Sequence, residues 1–128
     1  MPISYRIDSQ QCVIWTTITG VLTDEDIISH KKALVQDPAF KPGMKELSDV
    51  RGVERLQVTD AGIRRFVAQD ACDSSCLQGH RLAIVVSSDF VFGTARMYEA
   101  LTQANPIDVM VFRDIDKTKA WLEDKATS

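Results

Sequence analysis

Hydrophobic positions along the 128-residue chain alternate between two periods. Ile3, Tyr5 and Ile7 interleave with Ser4, Arg6 and Asp8, the two-residue repeat of a strand with one wet face, which predicts an edge strand over Ile3–Asp8. Ser9-Gln10-Gln11 turns the chain. Cys12–Thr19, rich in β-branched residues and carrying Trp15, predicts a second strand and therefore a hairpin. From Thr23 the period lengthens. Thr23 followed by Asp24, Glu25 and Asp26 is a helix start, with Leu22 and Ile27 at the positions of a hydrophobic staple. Ile27, Ile28, Leu34 and Val35 repeat at seven residues along a buried stripe, and Asp37-Pro38 ends it.

The alternation continues to the end of the chain. Lys41-Pro42-Gly43 is a loop before a strand around 45–50. A second helix starts at Thr59, with Val58 and Ile63 repeating the staple and Ile63, Phe66, Val67 and Ala71 as its stripe. Gly79 punctuates. The run Leu82-Ala83-Ile84-Val85-Val86 inside the strand 81–87 is apolar on both faces, as in a parallel strand covered on each side. A third helix spans about 89–104, ended by Asn105-Pro106. A strand over Asp108–Phe112 follows, then a final helix capped by Asp114 or Asp116 and running through Trp121 and Leu122. The order ββαβαβαβα predicts an α/β fold: an open, mostly parallel five-stranded sheet with an N-terminal antiparallel hairpin and four helices, in one domain.

Composition narrows the function classes. With 45% hydrophobic and 26% charged residues the chain is an ordinary globular one. A net charge of −3 gives no electrostatic footprint for nucleic acid. No apolar run approaches a membrane span, and the start of the chain does not read as a signal peptide. Three cysteines are too few for a disulfide scaffold and point to a reducing cytoplasm.

Candidate chemistry is sparse. Ligands of open parallel sheets sit at the carboxyl ends of the strands, where Asp49-Val50-Arg51-Gly52, Ser87-Ser88-Asp89 and Arg113-Asp114 fall. Asp49, Asp89 and Asp114 could converge on Mg²⁺, but Asp89 and Asp114 are equally helix caps. Cys72, Cys76 and His80 are spaced as three zinc ligands without a fourth, or Cys72 and Cys76 as a reversible disulfide. Cys12 is expected in the core and His30 on a solvated helix face. No nucleophile elbow, Walker loop or dinucleotide fingerprint occurs, so neither catalysis nor a metal or cofactor is expected. The helix containing Phe90, Phe92, Gly93, Arg96, Met97 and Tyr98 has apolar residues around too much of its circumference for one stripe. It is either pressed between sheet and a neighbouring element, or leaves Phe90 and Met97 open as a ligand groove or dimer contact. Gly93 would admit close packing or a ligand. Arg96 is an anion partner or the (i, i+3) partner of Glu99.

Three stretches carry a family resemblance: Asp49-Val50-Arg51-Gly52-Val53, Phe92-Gly93-Thr94-Ala95-Arg96-Met97-Tyr98, and Val111-Phe112-Arg113-Asp114 leading to Ala120-Trp121-Leu122. Together they resemble the SpoIIAA-like bacterial family, small relatives of STAS domains grouped structurally with CRAL-TRIO lipid-binding folds. The resemblance implies a non-catalytic regulatory or protein-interaction domain, acting on a protein partner or as a homodimer. Its alternative is a binding protein or sensor for a small apolar or lipid-like ligand, walled by Phe90, Phe92, Met97 and Tyr98, with Arg96 or Arg51 for a head group. Asp49, Arg51, Ser88 and Gly93 complete that expected surface. The anti-anti-sigma relatives carry Asp-x-Ser-Gly with a phosphorylated serine. Here Asp49 is followed by Arg51 and Gly52 without a serine, and the nearest hydroxyl, Thr59, is expected to cap a helix rather than accept phosphate.

Overall fold

The structure, a computed structural model, describes residues 2–72 and 74–123, without the side chains of Cys72 and Ser74. The hairpin forms first along the chain: β1 (Ile3–Asp8) runs antiparallel to β2 (Val13–Thr23), with Ile3 opposite Ile18 and Asp8 opposite Val13. The Asp8 carboxylate accepts the amides of Gln10 and Gln11 in the turn. Cys12 is exposed there with a left-handed φ of 58°. It is thus a turn residue, not the core strand residue its neighbours suggest.

Three strands then add in chain order: β3 (Lys45–Gln57), β4 (Arg81–Val85) and β5 (Asp108–Phe112), each parallel to the one before. The expected fold class is therefore present. Because every crossover steps the same way across the sheet, the right-handed rule puts the connecting helices on one face. These are α1 (Asp24–Gln36), α2 (Asp60–Cys72) with the short α3 (Ser74–Leu77), and α4 (Asp89–Leu101). The helix α5 (Ile115–Glu123) returns to the opposite face.

Strand alternation divides the core accordingly. Ile18, Val50, Leu82, Ile84, Val109 and Val111 pack with Ile28, Ile63, Phe66 and Tyr98 under the three helices. Leu47, Ala83 and Val85 face Leu122 and Trp121 on the other side, where the Arg81 guanidinium stacks 4.1 Å from the Trp121 ring centroid. Among the described residues no helix is long and apolar enough to cross a membrane.

Helix starts follow their sequence signals. Thr23 Oγ1 accepts from the Asp26 amide, and the Asp26 carboxylate accepts from the Thr23 amide, a complete capping box. Thr59 caps α2 by accepting the Gly62 amide. Ser88, rather than Asp89, caps α4, and Asp114 caps α5 through the amides of Asp116 and Lys117. The two ends differ in length from expectation. β2 continues to Thr23 and β3 to Gln57, beyond the last partners supplied by β1 and β4, so a two-stranded parallel ribbon extends from the sheet. Register shifts after Thr17 and Gly20 mark its start, and its residues 51–57 are mostly exposed, so no hydrophobic period announces it.

The beginnings of α1 and α2 lock together. Asp24 accepts from both the amide (2.8 Å) and the hydroxyl (2.7 Å) of Thr59, placing a carboxylate at the positive end of α2. A Cβ on Gly62 would overlap that carboxylate, whereas a Cβ on Gly93 would meet nothing. Gly93 is thus no point of close packing. Replacing a helical glycine by alanine ordinarily stabilises by about 1 kcal/mol, so urea unfolding should show Gly93→Ala more stable by about that amount. Gly62→Ala should instead be less stable by about 1–3 kcal/mol, since Asp24 must leave its site. A stabilising Gly62→Ala would show that the Asp24–Thr59 lock contributes nothing.

Candidate functional site

Polar groups are buried where the stripes of α1 and α2 meet the amino ends of β3 and β4. The spacing Ile27, His30, Lys31, Leu34 puts two basic residues on the buried face of α1. Asp70 follows Ile63 and Phe66 at seven and four residues on α2. Glu46 alternates with Ser48 and Val50 along β3, and His80 immediately precedes β4.

These side chains answer one another. Lys31 Nζ lies 3.1 Å from Asp70 Oδ1, with 2% and 0% of the two side chains exposed, and 5.0 Å from the Phe66 ring centroid. The Tyr98 hydroxyl donates to Asp70 Oδ2 at 2.6 Å. Glu46 accepts Thr16 Oγ1 on Oε2 at 2.8 Å and pairs with His80 Nε2 on Oε1 at 3.0 Å. His30 Nε2 is 3.8 Å from Glu46 Oε2, too far for a hydrogen bond, and this buried nitrogen has no hydrogen-bond partner among the described residues. His30 is therefore half-buried, with 11% of its side chain exposed, not the solvated residue expected from its type.

Burial by itself would raise the Glu46 carboxyl. The neighbouring imidazoles of His30 and His80 and the Lys31 ammonium outweigh it and hold the group well below the ordinary range. Burial first, then the Asp70 charge, pushes the Tyr98 phenol well above its ordinary value. Removing one partner of the Lys31–Asp70 pair would strand a buried charge, at a cost of about 3–5 kcal/mol.

This polar cluster forms one end of a cavity of about 110 Å³ between the sheet and the three helices. Ile18, Leu22, Val50, Leu82 and Ile84 form its sheet side; Ile63, Phe66, Val91 and Ala95 its helix side. His30, Lys31, Glu46, Ser48 and Tyr98 supply its polar groups.

Of the surface residues expected from the sequence, Tyr98 lines the cavity, and the others lie elsewhere. Asp49 and Arg51 form a bidentate pair at 2.8 and 2.9 Å; the Arg51 hydrogen bond is the main cause of a lowered Asp49 pKa. Ser88 is occupied as a cap. Phe90 is 69% exposed. Phe92 packs beneath Arg113, whose guanidinium is 4.3 Å from its ring centroid. Met97 packs half-buried against the core. Arg96 reaches Glu99 at 3.5 Å, while Glu99 also accepts the Val111 amide of β5 at 2.9 Å.

The carboxylates at the carboxyl ends of the strands do not converge: Asp89 pairs with Arg113 at 2.8 Å, and Asp114 is a cap. Among the described residues no cluster suited to a metal ion occurs. Cys72 as a zinc or disulfide residue lies outside the described side chains; its expected companion His80 is held by Glu46. Thr59 donates to Asp24, so a phosphate there would face that carboxylate at close range.

No protein-family model and no curated protein matches the chain. Among solved structures, the fold is similar to a crystal structure of an uncharacterized protein from the DUF3478 family with a SpoIIAA-like fold, from Shewanella loihica PV-4. The TM-score is 0.59 at 17% identity, over 94% of this chain and 93% of that one. The chain has a SpoIIAA-like α/β fold.

Two of the shifted groups, the buried Glu46 and Tyr98, contribute a pH dependence of opposite sign at each end. Glu46 titrates lower folded than unfolded, so its contribution is present above its ordinary value of 4.5 and is lost as pH falls through the folded value. Tyr98 titrates higher folded, so its contribution is present below 10.0 and is lost as pH rises beyond it. Urea unfolding across pH should show both limbs, with the acid limb shallower in Glu46→Gln and the alkaline limb shallower in Tyr98→Phe. Unchanged limbs in both variants would show that these groups do not set the profile.

Proposed function

We propose that the protein binds a small, mainly apolar molecule in the cavity between its sheet and helices α1, α2 and α4, without a catalytic step, in the reducing cytoplasm. The observation that carries this reading is the cavity itself. Well-packed interiors leave few voids larger than a water molecule. A largely apolar space of about 110 Å³ leaves its lining short of packing contacts. An occupant of matching shape recovers the lost contacts.

The size also constrains the occupant. An engineered apolar cavity of about 150 Å³ accepts benzene, so a space of about 110 Å³ suits a single ring or a short alkyl segment. A whole acyl chain would have to leave most of its length outside. The mouth residues Leu56 and Val58 and the helix residues Thr94 and Ala95 are half-buried, which leaves a route for entry.

A second reading, docking of a protein partner or of a second copy, is favoured by Phe90, which stands 69% exposed at the start of α4. A regulatory role of the STAS type would act through such a surface.

Benzene titrated into the protein should give saturable amide NMR shifts at Ile18, Ile84, Ala95 and Tyr98, and should raise Tm. Ala95→Leu, which fills the space from α4, should raise Tm without ligand and abolish those shifts. Shifts that are absent, or scattered over the surface, would overturn the cavity reading. Sedimentation of the wild type and Phe90→Ser separates the second reading: a dimer lost in the variant supports it.

A further inference from the structure

We infer that the cavity selects a small neutral molecule, of the size of a single ring or a short alkyl segment, whose one polar end is an oxygen acceptor, such as an alcohol, phenol or ketone, and that it discriminates against carboxylates and amines. This deepens the cavity reading and rests on it.

The argument is a hydrogen-bond ledger at the polar end. Both oxygens of Asp70 are engaged, one by Lys31 and one by Tyr98. Both oxygens of Glu46 are engaged as well, one by Thr16 and one by His80. Each carboxylate oxygen thus already holds one donor, and a ligand ammonium would have to be buried beside the Lys31 ammonium, a like charge. Spare donors do exist. An ammonium has three N–H groups, and Lys31 directs one to Asp70. His30 Nε2 is buried without a hydrogen-bond partner, 3.8 Å from the Glu46 carboxylate. A buried donor left unpaired is unfavourable. An acceptor atom between His30 and Lys31 would remove that penalty.

Charge then decides which acceptor. The polar groups lining this end are His30 and Lys31 from α1, Glu46 and Ser48 from β3 and Tyr98 from α4, with Asp70 on α2 and His80 ahead of β4 bonded behind them. They include two carboxylates, two imidazoles and one ammonium, and that ammonium is already paired with Asp70. A ligand carboxylate would be a third carboxylate in a largely apolar space, which costs more than its hydrogen bonds return. A hydroxyl or carbonyl oxygen accepts the same two donors without that penalty.

Four probes of one shape test this on the wild-type protein at neutral pH: benzene, benzyl alcohol, benzoate and benzylamine, each titrated by NMR. Benzyl alcohol should bind about three- to tenfold more tightly than benzene, the value of one net hydrogen bond. Benzoate and benzylamine should each bind about tenfold or more weakly than benzyl alcohol. In His30→Phe the advantage of benzyl alcohol over benzene should shrink towards one while benzene still binds. Benzene bound with no preference for benzyl alcohol, or with benzoate or benzylamine equal to it, overturns the inference and leaves the cavity reading standing. No binding of any probe overturns both.

Discussion

The buried carboxylate of Glu46 is the constraint around which the helical side of this molecule is arranged. A charge in that position is tolerable only if donors reach it from fixed directions. Two separate parts of the chain supply them, Thr16 on β2 and His80 at the entry to β4, and the His30 imidazole on α1 stands 3.8 Å away. Lys31, one residue along the same helix, carries the linkage to Asp70 on α2, and Tyr98 brings in α4. Sliding α1 by one turn would separate both basic residues from their acids. The polar cluster thus fixes the relative setting of elements that the apolar core alone would hold less specifically.

Topology explains why the pocket lies where it does. In doubly wound sheets a ligand crevice opens where the strand order reverses, because neighbouring crossovers leave to opposite faces there. This sheet has the order β1-β2-β3-β4-β5, and it never reverses in its parallel part. Asp49 and Arg51 lie inside β3 where its pairing with β4 stops, and there and beyond β4 and β5 the arrangements are closed locally: Asp49 with Arg51, Ser88 as a cap, Asp89 with Arg113, Asp114 as a cap. The space that remains lies underneath three helices on one face, with its polar groups toward the amino ends of the strands.

Much of the fold is legible in the chain, and much of the cavity is not. Periodicity and caps place β1, β5 and the starts of α1 and α2, because each has both a repeat and a local stop or start residue. The ribbon of β2 and β3 is hidden because residues exposed on both faces show no period. The polar cluster is hidden for a different reason. His30, Lys31 and Asp70 occupy stripe positions of their helices, but residue type argues for solvent, and only long-range partners reverse that. The available signal was positional: a basic pair at three and four residues from Ile27, and an acid at seven from Ile63, sit where a hydrophobic residue belongs. On α4, Tyr98 lines the cavity while Phe90 stands exposed, and the apolar pattern of the helix alone does not separate the two.

The bond from Glu99 to the Val111 amide has a meaning for the crowded solution in which such a chain must survive. β5 is the last strand of the sheet, and an outward-pointing amide on a terminal strand is an invitation to a foreign extended segment. Here a side chain from the molecule's own helix occupies that donor. The opposite border, β1, carries Ser4, Arg6 and Asp8 on its wet face. Lateral growth into filaments is discouraged on one margin by self-occupation and on the other by charge, so the sheet ends at five strands by its own chemistry rather than by chance of length.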